Sequence, residues 1–314
     1  MRANVGVVIT VLVATLGLGS CRNNGPGGEL ATQTSAASSA ASAASIVASL
    51  QAQPNSPVQT GVAQSFSSTA ASLTPQFAAA AAAGEPKPAQ VTLPATCAGA
   101  VHLQDKTTGA SADISLTGAL SVAAQTASGY VVYPAGMPSG ANVLHRALPS
   151  GTEDFVSFAT RPTTAEVDYS VALETGVAGL RLVAGTLELL DANGVPRLHV
   201  SPPFIVGAGG TRTDGALAVA GCAVDTDPSP PWGRAVTAPG AKTCTVKVTW
   251  PDANVTYPAI LDPRWTTTGS MATARIEHTL ILLSTGKALA SCTTRPAAPG
   301  RRPAAWRRGA ACTA

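Results

Sequence analysis

Cysteine pairing is the strongest signal among the residues of this chain that could do chemistry. The sequence contains six cysteines, of which Cys222 and Cys244 flank a loop rich in proline and glycine. Such a loop has little apolar surface with which to order itself, so we predict a Cys222–Cys244 disulfide in an oxidising compartment. In the loop-entropy model this bond contributes on the order of 3 kcal/mol. The pairing of Cys97, Cys292 and Cys312 stays open.

Metal-binding patterns are weak by comparison. No two cysteines have the spacing of about two to four residues found in zinc knuckles, and the four histidines are scattered along the chain. The run Asp225-Thr226-Asp227 resembles the start of a calcium loop, but the glycine and the later glutamate that such a loop requires are missing. We therefore expect a solvated turn at this run, no metal ligand and no cofactor.

Candidate groups for acid–base or nucleophilic catalysis are also few. Glu153 and Asp154 are adjacent carboxylates, but neighbours in a strand point to opposite faces and cannot share one proton-transfer site, so we interpret the pair as part of a surface turn. His102, His145 and His199 each stand beside apolar strand residues, where a hydrogen-bonded or exposed histidine is usual. No Gly-x-Ser-x-Gly elbow is present to expose a nucleophilic serine. We predict no catalytic residue and no enzyme.

Two loops could bind a ligand without catalysis. The run Gly207-Ala208-Gly209-Gly210 follows an apolar stretch but opens no helix, so it predicts a hairpin turn and not a phosphate-binding loop. Trp232 follows two prolines and could stack on a sugar in a carbohydrate-binding loop. We favour the alternative that Trp232 packs the loop onto the folded domain.

The elements that must position these residues are short strands. After Cys97 the sequence consists of runs of Val, Leu, Ile, Tyr and Thr that are separated by Gly, Pro, Asn and Asp. Tyr169 and Val171 alternate with polar or small residues, the period of a strand with one buried face. Asp191-Ala192-Asn193-Gly194 predicts a tight hairpin turn. The pattern predicts an all-β, antiparallel β-sandwich. The predicted strands are 112–116, 129–133, 143–147, 155–159, 166–173, 179–184, 186–191, 197–200, 216–219 and 243–250.

The segment before Cys97 has a different composition. Residues 21–96 are dominated by Ala, Ser, Gln, Thr, Gly and Pro, and aromatic residues are only 4% of the whole chain. Such a segment buries too little apolar surface to offset the entropy lost on ordering, so we predict a low-complexity, disordered tether. The alternative is one weak amphipathic helix that uses Ile46 and Leu50.

The N-terminus carries a targeting pattern. A positive start, Met1-Arg2, precedes an apolar run from Val5 to Leu18, which is short for a transmembrane helix and suits a signal peptide. The run ends in Leu18-Gly19-Ser20-Cys21, which resembles the lipobox of bacterial lipoproteins. The resemblance implies cleavage after residue 20, lipidation of Cys21 and stable membrane anchoring. Arg22 is not the aspartate that retains enterobacterial lipoproteins in the inner membrane, so the outer membrane is favoured.

Two further stretches resemble known families. The run from Asp154 to Tyr257-Pro258-Ala259-Ile260-Leu261-Asp262-Pro263 resembles a β-rich module that precedes YD-repeat arrays in large secreted bacterial proteins. A second stretch, 265–289, resembles the opening of a kelch repeat of galactose-oxidase-like propellers, although the Gly-Gly pair that ends the second strand of that repeat is missing. The residues that carry the kelch pattern are Trp265, Gly269, Met271, Arg275, His278, Gly286 and Lys287.

The C-terminal sequence does not continue the kelch pattern. A propeller requires several four-stranded blades, and only about half of one blade is present. Five arginines and no acidic residue fall between Arg295 and Arg308, a composition that a high-GC gene gives when it is read out of frame. We therefore expect a truncated relative of a longer kelch protein, the alternative being a natural basic tail that binds an anionic surface. The remainder of the chain is near neutral, which does not favour nucleic-acid binding.

These observations predict five segments: a signal peptide at 1–20, a tether at 21–96, a sandwich at 97–263, a partial kelch-like motif at 264–290 and a disordered tail at 291–314. The predicted function is that of an exported, membrane-anchored, non-enzymatic binding or structural module that contacts extracellular proteins or glycans. Two alternatives remain. One is a truncated remnant of a galactose-oxidase-like propeller protein, and the other is a nonfunctional fragment whose fold stops near Asp262.

Overall fold

The computed structural model describes residues 41–83, 88–231, 233–268, 276–282 and 288–293, the last two by their backbone alone. The helices are α1 (Ala43–Gln51) and α2 (Ala79–Ala83), and a 3-10 turn lies at Asp252–Asn254. The strands are β1 (Ser65–Ser68), β2 (Ser72–Gln76), β3 (Ala89–Pro94), β4 (Val101–Asp105), β5 (Ser111–Leu116), β6 (Gln125–Ala127), β7 (Tyr130–Tyr133), β8 (Asn142–Leu148), β9 (Gly151–Phe158), β10 (Glu166–Leu173), β11 (Gly179–Val183), β12 (Thr186–Leu190), β13 (Pro196–Val200), β14 (Phe204–Gly207), β15 (Arg212–Asp214), β16 (Ala216–Ala220), β17 (Thr243–Thr249), β18 (Ala259–Asp262), β19 (Arg264–Thr267), β20 (Ile276–Leu282) and β21 (Ala288–Thr293).

Two antiparallel sheets form the domain. The smaller sheet has the order β1-β2-β3-β4-β5-β10-β17-β16. The larger sheet runs β11-β12-β13-β19-β9-β18-β14-β15, and β6, β7 and β8 continue it from the other side of β9. The prediction of an all-β, sandwich-like antiparallel fold is therefore confirmed.

Period-2 alternation explains why these segments form strands with one face inside. In β10, Val167, Tyr169 and Val171 are at most 5% exposed, whereas Asp168 and Ser170 between them are partly exposed. The buried side chains of β10 pack with inward-facing residues of the larger sheet, such as those of β7, β8 and β9, in one apolar core. Burial of this apolar surface is the main term that stabilises the sandwich.

The predicted hairpin at Asp191–Gly194 joins β12 to β13. The Asp191 carboxylate accepts hydrogen bonds from the backbone N–H groups of Asn193 and Val195 at 2.8 and 3.0 Å. Gly194 has φ +74°, a conformation that L side chains rarely adopt. The run Gly207–Gly210 likewise forms the turn between β14 and β15, as predicted.

The predicted disulfide between Cys222 and Cys244 is present, with a Cα–Cα distance of 5.4 Å. Cys244 lies in β17, and Cys222 follows β16, the strand that pairs with β17 at the edge of the smaller sheet. The bond therefore closes the long β16–β17 connection at its base.

The prediction of a disordered tether over residues 21–96 is wrong for the described part of that range. Helix α1 buries Ile46, Val47 and Leu50, each at most 5% exposed, against the outer face of the larger sheet. Ser42 caps α1, because its hydroxyl accepts a hydrogen bond from the backbone N–H of Ser45. These three apolar residues suffice to hold the helix, because the apolar outer face of the sheet supplies the rest of the contact surface. The weak-helix alternative was therefore correct for Ile46 and Leu50.

The rest of the supposed tether also belongs to the fold. Strands β1 and β2 pair as a hairpin, and β2 pairs with β3, which enters the smaller sheet beside β4. Leu93 of β3 is fully buried in the core between the sheets. The domain therefore includes residues 41–83 and 88–96, and the predicted boundary at 97 is wrong. These segments form strands because neighbouring strands complete their backbone hydrogen bonds, which local composition does not reveal.

The predicted boundary at 263 is also wrong. Strand β19 pairs with both β13 and β9 in the larger sheet, and Trp265 in β19 is 2% exposed. The fold therefore does not stop near Asp262, and Trp265 is a core residue of the sandwich. Farther along, β20 and β21 pair antiparallel, so 291–293 are in a strand and not in the predicted disordered tail.

Candidate functional site

The most chemically varied group of side chains lies between the two sheets. We call it the inter-sheet polar cluster and define it as Cys97, Tyr133, His145, Asp154 and Tyr169. Tyr133, His145 and Asp154 come from the neighbouring strands β7, β8 and β9 of the larger sheet. Tyr169 faces them from β10 of the smaller sheet, and Cys97 lies in the turn after β3.

Asp154 and His145 form the central contact of this cluster. His145 Nδ1 lies 2.7 Å from Asp154 Oδ1, and both side chains are less than one tenth exposed. The Thr152 hydroxyl donates a second hydrogen bond to the same carboxylate oxygen at 3.1 Å. The Tyr133 ring and the His145 imidazole pack in a T-shaped arrangement, with centroids 5.6 Å apart. These contacts fix the orientation of the imidazole.

The two tyrosines of the cluster differ in their hydrogen bonding. The Tyr133 hydroxyl donates to the carbonyl of Pro94, at the end of β3, at 2.6 Å. The Tyr169 hydroxyl is buried and has no hydrogen-bond partner among the described residues. Burial is the main cause that raises the pKa of both phenols above their ordinary value, so both are neutral at physiological pH.

Cys97 is the thiol of the cluster. It is 4% exposed and has no disulfide partner in the part of the chain that the structure describes. Burial, with a smaller contribution from the nearby Asp154 charge, raises the pKa of the thiol to about 12. Because the thiolate is the reactive form, Cys97 is an inert thiol near neutral pH. A cysteine, a histidine and an aspartate are thus close together without an activated nucleophile.

Four members of the cluster line a small cavity. Its volume is about 10 Å³, and its wall includes Cys97, His145, Asp154 and Tyr169 together with apolar residues of β4, β5 and β8. A substrate of ordinary size requires at least several hundred Å³. This cavity therefore suits a single small molecule and not a substrate.

A second group of charges lies on the outer face of the larger sheet. We call it the outer-face charge cluster and define it as Arg146, Glu153, Asp262 and Arg264. Glu153 forms ion pairs with Arg146 at 2.8 Å and with Arg264 at 3.4 Å. Arg146 also donates two hydrogen bonds to the Thr60 carbonyl, at 2.8 and 3.1 Å, and so holds the chain that follows α1.

Asp262 is the unusual member of the outer-face charge cluster. It is 7% exposed, and its Oδ1 has no hydrogen-bond partner among the residues described. Burial, followed by the charge of Glu153, raises the pKa of Asp262 to about 8 against the opposing charge of Arg264. A carboxyl group with this pKa is largely protonated at neutral pH.

Two further histidines, His102 and His199, are hydrogen-bonded, one of the two environments predicted for them. His102 Nδ1 lies 2.6 Å from Asp113 Oδ1 at a partly exposed site on the smaller sheet. His199 Nε2 lies 3.1 Å from the Thr266 hydroxyl, and burial, followed by the charge of Arg264, lowers the pKa of His199. In the described contacts, His102 pairs with the Asp113 carboxylate and His199 with the Thr266 hydroxyl, and no nucleophilic thiol or serine hydroxyl is bonded to either ring.

The Asp225–Asp227 run forms a turn that is held by an arginine. Arg234 lies 2.7 Å from an oxygen of Asp225 and 2.8 Å from an oxygen of Asp227, and so occupies the position that a cation would take. Arg181 enters the same loop from β11 and donates to the backbone carbonyls of Asp227, Pro228 and Ser229. Over the described ranges, no group of three or more His, Cys, Asp or Glu side chains could hold a metal ion.

Several sequence-predicted residues lie outside the described residues. These are Cys21 of the lipobox, Trp232 of the proline-rich loop, and Gly269, Met271, Arg275, Gly286 and Lys287 of the kelch-like pattern. His278 lies in β20, of which only the backbone is described.

The interpretation of Glu153 and Asp154 as a surface turn is wrong. Both are in β9, every residue of which is buried, because the smaller sheet covers one face of this strand while α1 and the following chain cover the other. No local pattern predicts a strand covered on both sides by distant segments. The sequence did single out Asp262, because this residue lies in the Tyr-Pro-x-x-x-Asp-Pro pattern. The pattern does not predict that the side chain of Asp262 is buried.

In the described segments, no helix is both long and apolar enough to cross a bilayer. Comparisons with protein-family models, with curated proteins and with solved structures found no match to this chain.

Proposed function

We propose that this protein is an exported lipoprotein, anchored through Cys21, whose β-sandwich acts as a non-enzymatic binding or structural module at the cell surface. The observation that carries the proposal is the combination of the Leu18-Gly19-Ser20-Cys21 pattern with the Cys222–Cys244 disulfide. A disulfide of this kind persists in oxidising compartments, which an exported chain reaches.

The inter-sheet polar cluster supports the non-enzymatic part of the proposal. Cys97 and Asp154 are less than one twentieth exposed, and the cavity beside them is about 10 Å³ in volume. A nucleophile needs both a reactive form and space for a substrate, and the raised pKa of Cys97 disfavours the first. Packing and orientation within the core are the roles that suit these groups.

The position of α1 changes the geometry of the proposed anchor. The fold already includes Ala43, whereas the sequence predicted a disordered segment as far as residue 96. The segment between the proposed anchor at Cys21 and the first helix of the fold therefore covers residues 22–42 and not residues 22–96.

Membrane fractionation tests the anchor. Wild-type protein should pellet with membranes after a high-salt wash and should incorporate labelled palmitate, whereas Cys21→Ala should do neither. Cys97→Ala is the matched control, because it removes a cysteine elsewhere and should leave both readouts unchanged. Pelleting of Cys21→Ala to the same extent as wild type would exclude the lipid anchor.

Binding assays test the module. The purified protein should show saturable binding to arrayed glycans or extracellular proteins, and Asp154→Asn should retain this binding because Asp154 lies in the core. Turnover of any arrayed compound that is lost on Cys97→Ala or Asp154→Asn would contradict the non-enzymatic proposal.

A truncated galactose-oxidase-like protein is the second candidate. One observation favours it: β20 and β21 pair as an antiparallel hairpin, the arrangement that the opening of a kelch repeat requires, with Leu282 opposite Ala288. Sequencing of the genomic locus tests this candidate. Propeller repeats in another reading frame downstream would support it, and their absence would exclude it.

A further inference from the structure

The Tyr169 hydroxyl of the inter-sheet polar cluster has no hydrogen-bond partner within the described part of the chain. Tyr169 is 2% exposed, and its hydroxyl forms no hydrogen bond within the described residues. Native interiors pair nearly all their buried polar groups, because an unpaired hydroxyl keeps the cost of losing its water. We therefore expect the Tyr169 hydroxyl to bond to a group other than the described protein atoms.

A small cavity beside Tyr169 has room for such a group. Tyr169 lines the cavity of about 10 Å³ together with Cys97, His145 and Asp154. This volume corresponds to about one water molecule, and a buried water needs two to four polar partners. His145 uses Nδ1 to contact Asp154, so its other ring nitrogen is the one with which it can bond a further group.

We propose that this cavity binds one structural water molecule that joins Tyr169 to the His145–Asp154 pair. The water would connect β10 of the smaller sheet with β8 and β9 of the larger sheet. Water suits this position because it is both donor and acceptor, and so matches a hydroxyl, an imidazole and a carboxylate together. A larger ligand would exceed the volume of the cavity, and the cavity wall offers no set of metal ligands.

The Tyr133 hydrogen bond provides an internal comparison. Tyr133 in β7 of the larger sheet donates directly to Pro94 in β3 of the smaller sheet, so it is a direct polar tie between the same two sheets. Like Tyr169, Tyr133 is a buried tyrosine that becomes phenylalanine by the loss of one oxygen. Tyr133→Phe therefore calibrates the effect of losing one buried hydrogen bond in this core.

The test is the melting temperature of Tyr169→Phe beside that of Tyr133→Phe. If a water bonds to the Tyr169 hydroxyl, Tyr169→Phe should lower the Tm by about 2 to 4 °C. This fall should be at least half of the fall that Tyr133→Phe causes. If the hydroxyl is unpaired, its removal relieves a buried polar group, so a Tm equal to or above that of wild type would overturn the proposal. A smaller fall than half of the control would also count against it.

A crystal structure of the wild-type protein at about 1.5 Å resolution or better decides the question even if a variant fails to fold. The proposal requires ordered density within about 3.2 Å of the Tyr169 hydroxyl and of the His145 imidazole or the Asp154 carboxylate. Collapse of the cavity, or a cavity free of density, would overturn it.

Discussion

Glu153 and Asp154 are neighbours in β9, but their carboxylates lie on opposite faces of the larger sheet. Glu153 pairs with Arg146 and Arg264 on the outer face, while Asp154 contacts His145 in the core between the sheets. Because successive side chains in a strand alternate between faces, one dipeptide places a charge in each of the two polar clusters. The outer charge helps to hold the chain after α1, and the inner one orients an imidazole.

The raised pKa of Asp262 predicts that stability declines with rising pH. Between about pH 4 and pH 8 the folded protein keeps a proton on Asp262 that the unfolded chain releases, so the free energy of unfolding falls as pH rises through this window. Each pKa unit corresponds to about 1.4 kcal/mol. Asp262→Asn should flatten this dependence and raise the Tm at pH 8 by several degrees.

Urea unfolding at one-unit steps from pH 5 to pH 9 measures the Asp262 effect. Asp214→Asn is a suitable control, because this carboxylate is 82% exposed and pairs with an exposed arginine at 3.1 Å. An equal slope for wild type and Asp262→Asn across this range would show that Asp262 does not titrate in the folded protein as described.

The packing of α1 predicts that part of the alanine-rich segment is essential to stability. Leu50 is 4% exposed against the larger sheet, so Leu50→Ala should lower the free energy of unfolding by about 2 to 5 kcal/mol. Ser49→Ala is the matched control, because Ser49 lies on the exposed side of the same helix and should change stability by about 0.5 kcal/mol or less. Equal stabilities for the two variants in chemical denaturation would place α1 outside the cooperative fold.

The disulfide predicts a redox-dependent stability. A double Cys222→Ala, Cys244→Ala variant should lose on the order of 3 kcal/mol, because the unfolded chain regains the freedom of the closed loop. A reducing agent should lower the Tm of wild type to a similar extent and leave that of the variant unchanged. A reductant effect of the same size in the variant would mean that another disulfide is responsible.

The buried thiol predicts slow alkylation. Because the pKa of Cys97 is raised from 9.0 to about 12, its thiolate population near pH 8 is lower by about a thousandfold than that of an exposed cysteine. Iodoacetamide should therefore modify Cys97 much more slowly in the folded protein than in urea, as peptide mass spectrometry can measure. Equal rates in the two conditions would show that the cluster is open to solvent.

The local sequence was sufficient for much of the sandwich. Alternation in β10 and the Asp191–Gly194 turn both report interactions within a few residues, so pattern alone predicts them. The same holds for the Cys222–Cys244 bond, which joins the two ends of a single loop. Several strands were not predicted, because short or polar segments become strands only when a neighbouring strand completes their hydrogen bonds. These are β1 to β4, β6, β14, β15, β18 and β19.

The candidate site was predictable only in part. The sequence alone left the pairing of Cys97 open, predicted that His145 is hydrogen-bonded or exposed, and excluded shared chemistry between Glu153 and Asp154. Tertiary structure decided that Cys97, His145, Asp154 and Tyr169, which are far apart in the chain, line one cavity. The physical reason is that burial is a property of the assembled sheets: a residue on β9 becomes inaccessible only when a second sheet covers one of its faces and a helix from an alanine-rich segment covers the other.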